Sequence, residues 1–199
     1  MHDAVRAATT DDLGAVVGVL TAAFHDDPLM SWAFSDPEVR PRRLDGMWGF
    51  FGREAYLPLG ASTIVGRPGG ADASALWLAP GDELDEGFWD ARGRAFAAEL
   101  DHDLDRLSSL SEVMEAHHPH EPHWYLLAIG VAPRRQGGRL GSALLAHTLA
   151  LADASRAPAY LEATSPRSRA LYERHGFVAT APFAAPGGPD VWPMWREPA

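Results

Sequence analysis

Arginines and glycines crowd together at Arg134, Arg135, Gly137, Gly138, Arg139 and Gly141. Glycine lets a backbone approach a phosphate closely, and the N–H groups at a helix start point towards it. Arginine adds charge and forked donors that match phosphate oxygens. The run Arg134, Arg135, Gln136, Gly137, Gly138, Arg139, Leu140, Gly141 and Ser142 is therefore a candidate phosphate cradle. It is not a Walker loop, because no Gly-Lys-Ser/Thr follows, and it is not a GxGxxG dinucleotide fingerprint. The alternative reading is a Gly-rich turn flanked by solvated arginines.

A cradle needs elements on both sides. Before it, Trp124 to Val131 is a nearly continuous apolar run, as a strand buried on both faces requires, and Pro133 breaks it. After it, a helical pattern starts at about Gly138 and runs to Ala152. Upstream, Val5 to Ala8 predicts a short strand. Thr9 to Asp12 predicts a helix start, with a hydroxyl cap and acids in the first turn. Leu13, Val16, Val17, Leu20, Ala23 and Phe24 repeat at helical spacing until His25-Asp26-Asp27-Pro28 stops the helix. Residues 29 to 35 predict a loop or short turn, and a second helix runs from Asp36 to about Tyr56. Ser62 to Gly66 and Ala73 to Ala79 predict a hairpin around residues 67 to 70. Two helices are expected at about 82 to 100 and 103 to 116. Downstream, Ala159 to Ala163 predicts a strand. Ser165-Pro166 opens a helix that Gly176 ends. Phe177 to Thr180 and Asp190 to Trp195 predict a closing strand pair, and Pro193 places the last strand at an edge. The class is α/β, in a single domain over residues 1 to 199.

Composition excludes several chemistries. The 199 residues contain no cysteine, which removes disulfides, thiolate metal sites and a cysteine nucleophile. No lysine is present either, so a Schiff-base lysine is excluded. A net charge of -10 opposes nucleic-acid binding and favours a cationic small molecule, with simple solubility as the alternative reading of the charge. No apolar run is long enough for a bilayer, and the acidic N-terminus lacks a signal-peptide core. A cytoplasmic protein with no membrane partner is expected, as monomer or homodimer. The histidines at 117, 118, 120 and 123 are interrupted by prolines and set no coordination geometry, so no metal is expected.

Two motifs carry a family resemblance. The first is Val131-x-Pro133, Arg135-Gln136-Gly137 and Leu140-Gly141-Ser142-Ala143-Leu144-Leu145. The second is Leu161-Glu162 followed by Ala170-Leu171-Tyr172-Glu173-Arg174-x-Gly176-Phe177. Together they resemble the GNAT superfamily of acetyl-CoA-dependent N-acetyltransferases. More narrowly, Glu121-Pro122-x-Trp124, Leu161 to Arg167, Tyr172 to Arg174 and Trp192-x-Met194 resemble the puromycin-type members. The sequence departs from the superfamily pattern at Arg139, where most relatives have glycine, and at Ser165, where many have Asn.

The resemblance implies a mixed, mostly antiparallel twisted sheet of about six to seven strands, flanked by helices, with a splayed central strand pair. It implies that acetyl-CoA lies along the backbone of Ile129, Gly130 and Val131, with the cradle and Ser165 completing its site. It implies direct attack by an amine, with Tyr172 as acid towards the leaving thiolate. Glu162 is the candidate base, with an ordinary strand-end carboxylate as the alternative. Asp26 and Asp27 are candidates for attracting a cationic amine, and Trp32, Phe34, Trp124 and Tyr125 for lining its pocket. An aminonucleoside antibiotic is one expected acceptor. A non-catalytic acyl-CoA sensor and a protein or peptide N-acetyltransferase are the other readings.

Overall fold

A computed structural model describes residues 4–67, 69–82, 84, 86–100 and 104–199. Strand β1 is Val5–Ala7, and a short 3-10 turn leads into helix α1, Leu13–Phe24. Helices α2, Pro28–Ala33, and α3, Arg40–Phe51, follow, and α3 widens into a π turn at Gly52–Tyr56. Strands β2, Thr63–Arg67, and β3, Gly70–Leu78, form the hairpin, and helices α4, Glu86–Glu99, and α5, Asp105–His117, come next. The central unit is β4, Trp124–Val131, then α6, Leu140–Ser155, and β5, Ala159–Ala163. Helix α7, Pro166–Glu173, and strands β6, Val178–Ala179, and β7, Trp192–Arg196, close the chain. Pro68 of the expected hairpin turn lies outside the described residues, as do residues 83, 85 and 101–103 at the ends of the two expected helices.

The strands form one mixed sheet in the order β1-β2-β3-β4-β5-β7-β6. Every pairing is antiparallel except β4 with β5. Alternating side chains feed two cores, one on each face. Ile64, Leu76 and Ala128 pack with Leu20, Leu44 and Trp48 beneath the N-terminal helices. Val65, Trp77 and Leu126 pack with Leu144, Leu161 and Met194 beneath α6 and α7. This fold is the one the resemblance implies.

Three local expectations need correction. Residues 29 to 35 are not loop, because Asp27 starts a helix as well as ending one. Its Oδ1 accepts the N–H groups of Leu29 at 2.9 Å and Met30 at 3.1 Å, and Pro28 occupies the first helical position. The second helix does not run unbroken from Asp36 to Tyr56, since its last turn is a π turn. Strand β7 is not at an edge but lies between β5 and β6. The missing N–H of Pro193 falls on the β6 side. There Thr180 donates to the Pro193 carbonyl at 2.9 Å and receives nothing back, and β6 stops at Ala179.

Strand β7 is tied to α6 by a nearly buried guanidinium. Arg196 donates to both oxygens of Asp153, at 2.7 and 2.9 Å, and to the His175 carbonyl at 3.0 Å. The Arg196 hydrogen bonds, and then the Ala199 N–H, hold the Asp153 pKa below the usual carboxylate value. A carboxyl lowered on folding stabilises above its unfolded pKa of about 4, and that contribution is lost as pH falls. Asp153→Ala should destabilise the fold by about 2–4 kcal/mol, because Arg196 is left buried without its carboxylate. Its denaturant midpoint should also fall less between pH 5 and pH 3 than that of the unsubstituted protein. Equal pH slopes would show that the pair contributes little.

Candidate functional site

The site begins where two strands part. Strands β4 and β5 pair only at Trp124–Ala159, Tyr125–Tyr160 and Leu126–Leu161. The register with β3 slips at the same place: Trp77 faces Leu126 while Leu76 faces Ala128. Leu127 is thus the extra residue of a β-bulge, and both Leu127 and Ala128 turn to the first core. From Leu127 to Val131 the edge of β4 towards β5 has no strand partner. Helix α1 lies close against this segment. A side chain on Gly130 would meet Leu20 at 2.9 Å and Ala23 at 3.0 Å, so only glycine permits that approach.

The chain then turns through residues 133–135 into α6. Gln136 Nε2 donates to the Val131 carbonyl at 3.4 Å and closes the turn. The backbone N–H groups of Gly137, Arg139, Leu140, Gly141 and Ser142 have no acceptor among the described residues. They are grouped at a helix N-terminus, where unpartnered N–H groups suit an anion. Arg134 and Arg135 flank it and both pair with Asp72, at 3.2 Å each. Arg139 caps α6 at φ 63° and ψ 11°, in the left-handed region that glycine favours. The loop therefore keeps a glycine-like path despite the arginine. Arg139→Gly should raise stability by about 0.5–1 kcal/mol, the left-handed penalty less the added entropy of glycine. An unchanged or lower denaturant midpoint would show that the Arg139 side chain offsets its own strain.

Tyr172 stands on α7, with its ring in the second core, 6.1 Å from Phe177. Its hydroxyl has no hydrogen-bond partner among the described residues. Burial, and then the charge of Asp27, push its pKa well above the usual tyrosine value. Asp27 reaches this point from the α1–α2 turn. Its Oδ2 accepts the Thr164 hydroxyl at 2.6 Å, which joins the N-terminal helices to the end of β5 across the opening. Burial raises the Asp27 pKa against these hydrogen bonds.

Glu162 lies on the other face of the sheet. Its side chain is 4% exposed, and its Oε1 has no hydrogen-bond partner among the described residues. The hydroxyls of Tyr125 and Tyr160 face this carboxylate, and Tyr56 feels its charge. Burial first, and Glu162 second, hold all of these tyrosines far above the usual pKa. Tyr125 and Tyr160 stack at 6.1 Å, and His118 Nδ1 is 3.8 Å from Glu162 Oε1.

Residues 72–177, from β3 through α7, match the acetyltransferase (GNAT) family. The chain belongs to this family. An uncharacterised N-acetyltransferase of Schizosaccharomyces pombe is 26% identical over 190 residues, covering 88% of this chain and 74% of the relative. The solved structure of histone acetyltransferase HPA2 and related acetyltransferase from Corynebacterium glutamicum is 29% identical, with a TM-score of 0.73 over 100% of this chain and 98% of that one. The polyamine N-acetyltransferase of Drosophila melanogaster shares the fold at 17% identity, with a TM-score of 0.70 over 98% of this chain and 99% of that one. The protein is an acetyl-CoA-dependent N-acetyltransferase.

The GNAT sheet gathers some of the expected residues and separates others. Tyr172, Asp27 and the free edge of β4 converge at the opening. Trp124 does not share a pocket with Tyr125, because neighbouring strand residues point to opposite faces. Trp124 packs edge-on to Trp77 at 6.4 Å in the second core, and Tyr125 faces the N-terminal helices. Phe34 is core, and Trp32 lies under the Gly188 loop beside Arg106. The Asp26 side chain is 93% exposed, with only a 3.8 Å approach to His25. The Ser165 hydroxyl caps α7, accepting the Ser168 N–H at 3.1 Å. Among the described residues no cluster of His, Asp and Glu is arranged to hold a metal, and no helix is long and apolar enough to cross a membrane. Sequence reasoning missed Tyr56, Tyr160 and Thr164, and weighed His118 only as a metal ligand. Tyr160 was within reach, because its spacing of two from Glu162 puts both on one face of β5.

Proposed function

We propose that this GNAT enzyme acetylates a small primary amine that meets Glu162 on one face of the sheet, while acetyl-CoA lies along β4 on the other. The observation that carries the reading is the placement of Glu162 and Tyr172 on opposite faces, beside the parting of β4 and β5. The residues present fit acetyl-CoA. The unpartnered N–H groups of Gly137 and of Arg139 to Ser142 suit a pyrophosphate, with Arg134, Arg135 and Arg139 nearby for further charge. The free edge of Ile129 to Val131 suits an amide-bearing arm, and Ser165 stands at the same opening.

When bound, acetyl-CoA supplies an activated thioester. Glu162 accepts a proton from the incoming ammonium, so that the nitrogen lone pair can attack. Tyr172, which keeps its proton, donates it towards the leaving sulfur. Asp27 holds the α1–α2 turn over the opening through Thr164. The tyrosines around Glu162 suit an amine, because a cation is attracted both to the carboxylate and to the ring faces. The net charge of -10 draws cations towards the protein.

The fold relatives include the polyamine enzyme from Drosophila and an arylalkylamine N-acetyltransferase from Aedes aegypti. Both are named for small-amine acceptors, whereas the 29% identical Corynebacterium structure is named for a histone acetyltransferase, so small amines and a peptide are to be compared directly. An aminonucleoside such as puromycin is a specific candidate, carried by the motif likeness at 161–167 and 192–194. Free thiol release from acetyl-CoA should be measured with puromycin, agmatine, tryptamine and an N-terminal peptide at equal concentration. Turnover on at least one small amine above the peptide is expected. Peptide turnover alone would favour a protein acetyltransferase, and acetyl-CoA binding without thiol release on any acceptor would favour a sensor.

A further inference from the structure

The His- and Pro-rich segment at 117 to 123 has no part in the mechanism above, yet it brings the imidazole of His118 to 3.8 Å from Glu162 Oε1. That carboxylate is ringed from several elements. Tyr160 faces it from β5, Tyr125 from β4, Tyr56 from the π turn after α3, and His118 from the end of α5. His123 lies against the His118 ring at 5.0 Å, and its Nδ1 donates to the Glu121 carbonyl at 2.6 Å. Tyr125 and Tyr160 meet His118 edge-on, at 4.9 and 5.1 Å, and hold its ring in place.

A buried base that takes a proton in every turnover must lose it again. The tyrosines around Glu162 hold their own protons tightly and offer no exit. Imidazole is the side chain that takes up and releases protons near neutral pH. His118 is 31% exposed, so its ring bridges a 4%-exposed carboxylate and solvent.

We propose that His118 is a positioning residue of this site, relaying to solvent the proton that Glu162 takes from the incoming ammonium. The proposal rests on Glu162 as the base. The ammonium N–H bond breaks as the Glu162 O–H forms. That O–H then breaks as the neutral Nδ1 of His118 gains the proton. The imidazolium returns the proton to water, which leaves both side chains as they began.

The test compares His118→Gln and Glu162→Gln with the unsubstituted enzyme from pH 7 to about pH 9.5. It uses acetyl-CoA and the panel amine of highest turnover, with His118→Asn as a second variant should Gln fail to fold. His118→Gln should lower kcat about tenfold at pH 7 with little change in KM for acetyl-CoA. The deficit should close towards pH 9.5, where the amine arrives already deprotonated. A merely structural role would give the same deficit at every pH, and that result, or full activity at pH 7, overturns the relay. If Glu162→Gln itself retains full turnover, the base assignment fails and the relay with it. If Glu162→Gln loses turnover and His118→Gln does not, the relay alone fails.

Discussion

Tyr172→Phe should lower turnover about 100-fold at pH 7 and leave acetyl-CoA affinity nearly unchanged. General acid catalysis contributes about 10²–10⁴-fold, and the lower end is expected here. Burial and Asp27 raise the tyrosine pKa, which keeps the proton on but weakens its donation. The substitution removes one hydroxyl that has no partner among the described residues, so packing against Phe177 is retained and little stability should be lost. The raised pKa also fixes a pH result. The unsubstituted enzyme should show no alkaline loss of rate from Tyr172 up to about pH 10, because the tyrosine stays protonated beyond its usual value. Isothermal titration with CoA separates binding from turnover. A Phe variant with full turnover would remove Tyr172 from the reaction.

Glu162→Gln should cost more turnover at pH 7, about 100- to 1000-fold, because the ammonium then has no neighbouring carboxylate to take its proton. The loss should shrink as pH rises and free amine becomes abundant. Stability should move the other way. A carboxylate that is 4% exposed, with one oxygen unpartnered, opposes folding, and a neutral amide removes most of that penalty. A gain of about 1 kcal/mol is expected, as where a strained group is kept for activity. A variant that loses both stability and turnover would mark Glu162 as a structural carboxylate.

The central elements were legible because each carried its own local signal. The ends of β4 and β5, the Ser165-Pro166 start of α7 and the Gly176 stop all follow from residue type at one position. Helix α2 was misread because Asp27-Pro28 is both a stop and a start, and only the stop was weighed. Expecting Trp124 and Tyr125 in one pocket ignored the two-residue period of a strand. The bulge at Leu127 left no trace, since a run of apolar residues shows no change of phase when both faces are buried. The Asp27–Thr164 bond joins residues 137 positions apart, and the ring of tyrosines gathers three separate elements. Neither can be read from spacing along the chain. The family motifs named Tyr172 and Glu162, but only the fold shows them on opposite faces.

The short pairing of β4 with β5 also bears on how the molecule opens. Strands β1 to β4 form one antiparallel ladder and β5 to β7 another, and among the described residues their strands pair through three parallel rungs, with the second core and the Asp27–Thr164 bond also spanning the seam. Amide hydrogen exchange reads such differences as separate cooperative units. The C-terminal ladder, which meets β4 through the shorter strand pairing, is expected to exchange its amides ahead of those in β2 to β4. A ligand that touches both sides of this seam acts as a clasp, and protection gained across β5 to β7 reports its arrival without any chemistry taking place.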